Sequence, residues 1–308
     1  MGQIPAPVLV TGATGFIGSR LCARFRERGI PFLVLTRHPE GPRVARLGAQ
    51  SVYRWDADAE LAPAEALSRA RAVVHLAGES VAARWTVDKK RKIRDSRLFS
   101  TRNLVTAMIQ AEPRPQAFVC ASAVGFYGSR GDEALTEESA PGHDFLAQVC
   151  REWELGARRA EDAGIRAVSL RIGLVLDRGG GALGRMLLPF RLGLGGRLGG
   201  GQQWMSWIHR DDLAGLILFA LEEEELRGPV NATAPNPVRN AEFTKTLGRV
   251  LHRPTPFPVP AGALRLLVGE FAEALLGSQR VMPELALKAG YRFQYPTLEA
   301  ALRAALGA

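Results

Sequence analysis

A short apolar strand that runs directly into a glycine-rich turn constrains this chain more than any other feature. Val8–Thr11 is rich in β-branched residues, and Gly12, Gly15 and Gly18 follow it where helical spacing of apolar residues begins. A second apolar run, 31–36, completes a βαβ pattern within about thirty residues. The first glycine permits a tight turn, the second lets the backbone approach a pyrophosphate, and the third lets the helix lie close to the strand. The sequence therefore predicts a dinucleotide site at a helix N-terminus.

The end of the second strand indicates which dinucleotide binds. Sites that prefer NAD place an acidic residue about 20 positions beyond the glycine turn. This chain instead has Thr36, Arg37 and His38, and the next carboxylate is that of Glu40. A guanidinium can bind a phosphate through two hydrogen bonds, and a threonine hydroxyl can add a third. We predict NADP(H), with Thr36 and Arg37 at the 2′-phosphate; the alternative is that Arg37 is an exposed loop arginine.

Two further residues are candidates for contact with the cofactor. Asp56 ends another strand-like segment, where its carboxylate could accept a hydrogen bond from the adenine amino group. Arg97 lies on the apolar stripe of a long predicted helix, in register with Ile93 and Leu104. Arginine is rarely buried without an anionic partner. A cofactor phosphate and an internal carboxylate remain equal alternatives for Arg97.

Composition excludes several classes of protein. The chain has 308 residues, 46% hydrophobic and 23% charged, which is typical of a globular protein of about two domains. No apolar run is long enough for a membrane span, and no signal peptide is evident, so we expect a cytoplasmic protein. The net charge of +9 is scattered, which disfavours nucleic acid as a partner. The histidines and cysteines show no ligand spacing, so no metal site is expected. The sequence is compatible with both a monomer and a homodimer.

Strand and helix patterns alternate along the first part of the chain. One continuous buried strand is predicted over 167–176. Such alternation predicts an α/β protein with a Rossmann-like, doubly wound parallel sheet. We assign residues 6–176, together with about 209–235, to the dinucleotide-binding domain. Residues 177–208 and 236–308 are assigned to a smaller C-terminal lobe that contributes to the substrate site.

Several motifs together resemble a known family. TGATGFIG (11–18), HLAG (75–78), SAVGFYG (122–128) and WIHRDDLA (207–214) are similar to segments of extended short-chain dehydrogenase/reductases of the sugar-nucleotide epimerase type. GES (78–80), DSR (95–97), WE (153–154), the glycine-interleaved run 179–196 and GYRFQYP (290–296) narrow the resemblance to the atypical group of epimerase family proteins. The resemblance covers nearly the whole chain, and it implies a C-terminal domain of unassigned role.

The resemblance also implies which residues bind NADP. The nicotinamide is expected near Val175. The remaining candidates belong to the glycine turn, to the ends of the strands and to the long helix: Gly12, Thr14, Gly15, Phe16, Ile17, Gly18, Thr36, Arg37, Asp56, Leu76, Ala77, Gly78 and Arg97.

The chain departs from the larger family at the catalytic pair. Short-chain dehydrogenases use a tyrosine as acid and base, with a lysine four residues later that lowers its pKa. None of the four tyrosines here is followed by such a lysine, and the family's pair falls on Leu146 and Cys150. Ser122 matches the family's catalytic serine. Tyr127 and His209 are the candidates for the missing acid; the alternatives are that Tyr127 packs under its own loop and that His209 neighbours a helix cap.

The sequence supports two main hypotheses about function. The first is an NADP(H)-dependent oxidoreductase or epimerase-like enzyme that acts on a small carbonyl, hydroxyl or sugar-nucleotide substrate. The second is a catalytically silent NADP(H) sensor or scaffold, which the missing pair favours. An RNA-binding protein that has reused the fold is a weaker third hypothesis, based on the net charge of +9.

Overall fold

The computed structural model describes residues 2–307 and places every predicted strand of the first half of the chain. The strands are β1 (Val8–Thr11), β2 (Phe32–Thr36), β3 (Ser51–Arg54), β4 (Ala72–His75), β5 (Ala117–Ala123), β6 (Ala134–Leu135), β7 (Arg166–Ile172), β8 (Leu174–Leu176), β9 (Trp204–Met205), β10 (Trp207–His209), β11 (Gly228–Ala232), β12 (Val238–Arg239) and β13 (Arg280–Val281). The helices are α1 (Phe16–Glu27), α2 (Pro42–Ala45), α3 (Ala64–Arg69), α4 (Val87–Gln110), α5 (Phe145–Arg158), α6 (Gly181–Arg191), α7 (Arg210–Glu222), α8 (Asn240–Val250), α9 (Ala261–Val268), α10 (Phe271–Leu276), α11 (Glu284–Lys288) and α12 (Leu298–Leu306). Two short 3₁₀ helices lie at Val124–Tyr127 and Glu161–Ala163.

Seven of these strands form one parallel sheet in the order β11-β7-β5-β4-β1-β2-β3. The chain moves outward from β1 to β3 and then crosses back to place β4 on the other side of β1. The winding direction therefore reverses between β1 and β4, and ligands of open α/β sheets bind at such a switch point. The predicted doubly wound, Rossmann-like sheet is confirmed.

Burial explains why these segments form the centre of the sheet. All four residues of β1 and all four residues of β4 are buried, as expected for parallel strands covered by helices on both faces. Helix α4 begins after Thr86, whose side chain accepts a hydrogen bond from the Lys89 amide. Helices α1 and α7 pack together, as do α4 and α5. The sheet and its helices thus hold the carboxyl ends of β1 and β4 in fixed positions.

The segment predicted as one strand over 167–176 is in fact divided at Gly173. A Cβ atom on Gly173 would lie 2.6 Å from the Ser206 carbonyl oxygen, so only glycine allows the two segments to approach this closely. After the break, β8 leaves the main sheet and pairs with β10 in parallel. Val175 is therefore carried by a two-stranded ribbon beside the sheet.

A second apolar cluster lies outside the main sheet. It is centred on Trp207 and Phe243, and α6, α8 and α12 contribute to it. Helix α11 belongs elsewhere, because Ala286 is part of the main core. Strand β13 pairs with β6. Segments of the C-terminal third thus contact both clusters, and the proposed domain boundaries stay a prediction. No helix among residues 2–307 is long and apolar enough to cross a membrane.

Candidate dinucleotide site

The glycine turn has the geometry that a closely approaching ligand requires. Gly12 has a φ of +67°, and a Cβ atom there would lie 2.7 Å from the Leu76 carbonyl carbon. A Cβ atom on Gly18 would lie 2.3 Å from the Gly12 carbonyl oxygen, so the helix rests directly on the turn. Gly15 is the N-cap residue of α1, and within the described part of the chain no side chain caps this helix. The first turn of α1 therefore presents backbone N–H groups, with the positive end of the helix dipole, beside the switch point.

A network centred on Thr11 joins the two central strands. Its hydroxyl accepts hydrogen bonds from the Leu76 and Ala77 amides at 3.2 Å each and bonds to Nδ1 of His75 at 2.7 Å. Nε2 of His75 lies 3.1 Å from the Ser100 hydroxyl, which itself donates to the Ser96 carbonyl. Burial lowers the pKa of His75 to about 3, so the ring is neutral. The segment Leu76, Ala77 and Gly78 is thereby fixed opposite the glycine turn.

Arg37 is exposed at the carboxyl end of β2. It makes no ion pair with any carboxylate among residues 2–307. Thr36 beside it is partly buried, and its hydroxyl accepts a hydrogen bond from the His38 amide at 3.3 Å. Asp56 follows β3, the edge strand on the same side of the sheet. The structure thus brings Thr36, Arg37 and Asp56 to the carboxyl edge of neighbouring strands.

Thr14, Gly15 and Phe16 also line a basic groove that the sequence analysis missed. The groove has a volume of about 620 Å³, and its wall includes Arg26, Arg43, Arg46 and Arg210. No Asp or Glu of residues 2–307 lines it. The guanidinium of Arg210 stacks on the Phe16 ring at 4.7 Å from its centroid. These arginines come from α1, the α2 region and α7, so their convergence has no local sequence signal. Their positive potential extends the region that favours anions beyond the turn itself.

Arg97 is partly buried and makes no ion pair with any carboxylate in the described part of the chain. Its Nη1 donates to the carbonyl oxygens of Glu79 and Ile93, and its guanidinium lies 5.1 Å from the centroid of the Trp153 ring. Burial lowers the pKa of Arg97. The Glu79 carboxylate lies near enough to act on this guanidinium, but it is paired with Lys89 and forms no ion pair with Arg97 among the described residues. The Arg97 guanidinium also lies beside Gly78, in the segment that follows β4.

Ser122 lies near the carboxyl end of β5 and is only 3% exposed. Its hydroxyl donates to Oε1 of Glu154 at 2.6 Å. Arg171 donates to the same carboxylate through Nε at 3.0 Å and Nη2 at 2.9 Å. In the sequence, Glu154 belongs to the WE motif (153–154) of the family resemblance and has no further signal of its own. The residue is separated from Ser122 along the chain, and only the packing of α5 on the sheet brings them together.

The structure corrects the expectation for Tyr127. The side chain is 0% exposed, and its hydroxyl donates to Oδ1 of Asn231 at 2.6 Å while accepting from Arg171 at 2.9 Å. Burial raises the pKa of Tyr127 to about 12. The proton of this phenol is directed at Asn231, and protein groups surround the side chain. The alternative, that Tyr127 packs beneath its own loop, describes the structure better.

The structure also gives His209 a role different from that of a proton donor to the substrate. It is the N-cap residue of α7, and its Nδ1 accepts a hydrogen bond from the Asp211 amide at 3.1 Å. The ring is 4% exposed and packs against Tyr295 at a centroid distance of 4.1 Å. Burial lowers the pKa of His209 and keeps the ring neutral. The structure places His209 itself at the helix cap, which is the structural alternative stated for this residue.

The positions expected for the family's tyrosine and lysine are occupied by packing groups. The Leu146 side chain and the Cys150 sulfur lie beside Gly125, and Cys150 is buried. Burial raises the pKa of the Cys150 thiol to about 12. Neither residue can supply acid–base chemistry near neutral pH.

The glycine turn, the uncapped helix and the switch point define a dinucleotide-binding protein of the Rossmann type. Comparison with known proteins narrows this class. Residues 8–232 match the family model described as the NAD dependent epimerase/dehydratase family, and residues 259–305 match a domain of unknown function, DUF1731. The chain therefore belongs to the NAD dependent epimerase/dehydratase family.

Relatives in distant organisms share nearly the full length of this chain. The chloroplastic epimerase family protein SDR39U1 homolog of Arabidopsis thaliana is 42% identical over 305 residues, which cover 96% of this chain and 86% of the relative. Epimerase family protein Mb2239 of Mycobacterium bovis is 40% identical over 299 residues, 96% of each chain. The crystal structure of human epimerase family protein SDR39U1 with NADPH has a TM-score of 0.88 at 37% identity and covers 98% of this chain and 99% of that one. The resemblance to epimerase family proteins is confirmed.

Proposed function

We propose that this protein binds NADP(H) and is an oxidoreductase or epimerase-like enzyme for a small carbonyl, hydroxyl or sugar-nucleotide substrate. The observation that carries the proposal is the combination of an uncapped α1 beside the glycine turn with two arginines, Arg37 and Arg97, that form no ion pair among residues 2–307. The human relative that was crystallised with NADPH adds support, because it covers nearly the same length of chain.

The residues present fit a phosphorylated dinucleotide. The amides at the start of α1 would hold the pyrophosphate, and Gly12 and Gly18 leave the space that any side chain would fill. Arg37, assisted by Thr36, would bind the 2′-phosphate. Asp56 would meet the adenine, and Arg97 would contact a cofactor phosphate. When bound, NADP(H) supplies a hydride donor or acceptor.

Arg37→Glu tests the choice of nucleotide. Repulsion between a carboxylate and the 2′-phosphate should weaken NADPH binding well over tenfold, about 1.4 kcal/mol or more, and leave NADH binding little changed. Arg71→Glu is the matched control, because it makes the same change of charge at an exposed residue before β4, at the opposite end of the strand from the site. Equal loss of both nucleotides in Arg37→Glu would show that Arg37 does not select the phosphate.

Turnover separates the enzyme from a silent sensor. The sensor remains a second candidate because Leu146 and Cys150 occupy the positions of the usual catalytic pair and Tyr127 is enclosed. NADPH oxidation is measured with a panel of carbonyl compounds and sugar nucleotides, and NADP⁺ reduction with the matching alcohols. Tight NADPH binding with no turnover on a broad panel would favour the sensor and contradict the enzyme.

A further inference from the structure

One face of α5 carries a carboxylate where an acid–base group is needed. Leu146, Cys150 and Glu154 are spaced four residues apart, so their side chains lie on the same face of the helix. The first two occupy the positions of the family's tyrosine and lysine. The third lies one turn further along and reaches the Ser122 hydroxyl at 2.6 Å.

Arg171 fixes this carboxylate. Besides its two bonds to Glu154, its Nη1 donates to the Tyr127 hydroxyl and to the Glu137 carbonyl, and its guanidinium stacks 3.4 Å from the centroid of the Phe126 ring. The side chains of Arg171 and Glu154 are 4% and 13% exposed. The carboxylate is therefore held in one orientation by a cation that is itself held on several sides.

The orientation of the Ser122 hydroxyl follows from this contact. A hydroxyl has one proton, and here that proton is directed at Oε1 of Glu154. One lone pair of Ser122 faces the Cys150 thiol, and the other can accept a hydrogen bond. A substrate hydroxyl group is the partner that such an acceptor recognises.

We propose that Glu154 is the positioning residue that orients Ser122 and receives, through it, the proton of a substrate alcohol. This inference rests on the proposed oxidoreductase function. As the carbinol C–H bond breaks, its electron pair leaves with the hydrogen as a hydride that reduces the nicotinamide of NADP⁺. The substrate O–H bond breaks at the same time, and a C=O bond forms. The proton moves to Oγ of Ser122 while the serine's own proton moves to Oε1 of Glu154. The alcohol loses two electrons, NADP⁺ gains them, and the reverse sequence protonates the product of carbonyl reduction.

The surroundings of Glu154 favour this assignment. The ionisable groups that face the pair are Arg171 from β7, Cys120 from β5, Cys150 from the same helix, and Tyr127 from the 3₁₀ helix, with Arg97 of α4 acting on Cys150. Burial raises the pKa of the Cys120 thiol. Burial raises the pKa values of Cys150 and Tyr127 to about 12, so neither exchanges a proton near neutral pH. Arg171 stays charged. Among these groups, Glu154 is the carboxylate, and it is the one to which Ser122 donates its proton in a hydrogen bond.

We call this transfer of a proton from the substrate through Ser122 to Glu154 the relay. Glu154→Gln tests it with the first alcohol or carbonyl substrate that the panel identifies. The amide oxygen can still accept a hydrogen bond from Ser122, but it cannot take its proton. We expect kcat to fall by at least about 100-fold, whereas KM and the Kd for NADPH should change by less than about threefold. Glu152→Gln is the matched control, because Glu152 lies on the same helix with its carboxylate paired to Arg94 at the surface.

A second variant covers the case in which loss of the buried carboxylate prevents folding. Ser122→Ala leaves the ion pair of Glu154 and Arg171 intact, and it should also lower kcat by at least about 100-fold. Isotope-edited infrared spectroscopy provides a readout that is independent of activity. The carboxylate band that is absent from Glu154→Gln should shift in Ser122→Ala, because the carboxylate loses its hydroxyl donor.

The outcomes separate the relay from the function on which it rests. Unchanged kcat in Glu154→Gln or in Ser122→Ala would overturn the relay alone, as would an identical carboxylate band in the wild type and Ser122→Ala. Absence of wild-type turnover on every alcohol and carbonyl compound would overturn the proposed function, and the relay with it.

Discussion

His75 links the switch point to a measurable dependence of stability on pH. The ring is fully buried at the end of β4 and is bonded to Thr11 and Ser100. Its pKa falls from 6.5 in the unfolded chain to about 3 in the folded protein, because burial disfavours the charged ring. Above pH 7 both states carry a neutral ring, and the site has no effect on stability relative to that reference. As pH falls below 6.5, the unfolded chain binds a proton that the folded protein does not, so stability is lost.

The size of the effect follows from the two pKa values. At pH 5 the unfolded ring is almost fully protonated and the folded ring is almost fully neutral. The difference in proton binding lowers the free energy of unfolding by about 2 kcal/mol. Because pH 5 is well above the folded-state pKa, this loss is determined mainly by the unfolded-state value.

Urea unfolding at pH 8 and pH 5 measures this loss. Other groups contribute to the overall pH dependence. Burial raises the pKa values of Asp212 and Glu137, and this opposes the effect of His75. Burial lowers the pKa of His209, and this adds to the effect of His75. The loss of unfolding free energy between pH 8 and pH 5 is therefore compared between the wild type and His75→Gln. The wild type should lose about 2 kcal/mol more than the variant between these pH values. The control His143→Gln changes an exposed histidine and should keep the wild-type loss. An equal loss in wild type and His75→Gln would refute the reasoning.

Two further predictions concern the glycine turn and the enclosed tyrosine. Gly18→Ala should cost about 1–3 kcal/mol of stability and weaken NADPH binding by more than tenfold, because its Cβ atom would displace α1 from the Gly12 carbonyl oxygen. Gly156→Ala, at a helical glycine where a Cβ atom makes only an ordinary contact, should instead raise the unfolding free energy by up to about 1 kcal/mol and leave binding unchanged; similar binding loss in both variants would contradict the close-approach argument. Tyr127→Phe should cost about 1–3 kcal/mol in urea unfolding, since it leaves buried hydrogen-bonding groups of Asn231 and Arg171 unpaired, yet preserve kcat. A loss of kcat at full stability would contradict a purely structural role for Tyr127.

Local sequence patterns predicted the part of the fold that depends on neighbours in the chain. The strand, the glycine turn, the helix and the next strand follow one another directly, so periodicity and the glycine spacing were sufficient. The resemblance to epimerase family proteins extended this prediction to almost the whole chain. Helix α4 was also predictable, because Thr86 provides a recognisable N-cap.

The features that could not be predicted from the sequence depend on contacts between distant segments. The break at Gly173 exists because the Ser206 carbonyl lies against it, and a run of apolar residues gives no sign of that neighbour. Tyr127 looked like an available phenol, but Arg171 and Asn231 enclose its hydroxyl. The contact between Ser122 and Glu154 likewise depends on how α5 packs on the sheet. The strand break, the burial of Tyr127 and the contact between Ser122 and Glu154 are all determined by packing, which local sequence patterns do not reveal.

Isothermal titration calorimetry of the wild-type protein with NADPH and NADH tests the central claim most directly. The uncapped N-terminus of α1 would hold the pyrophosphate of either nucleotide, whereas Arg37 would bind only the 2′-phosphate. We predict binding of both nucleotides, with NADPH tighter by more than tenfold, or about 1.4 kcal/mol. Absence of heat with either nucleotide, or equal affinity for the two, would contradict the account.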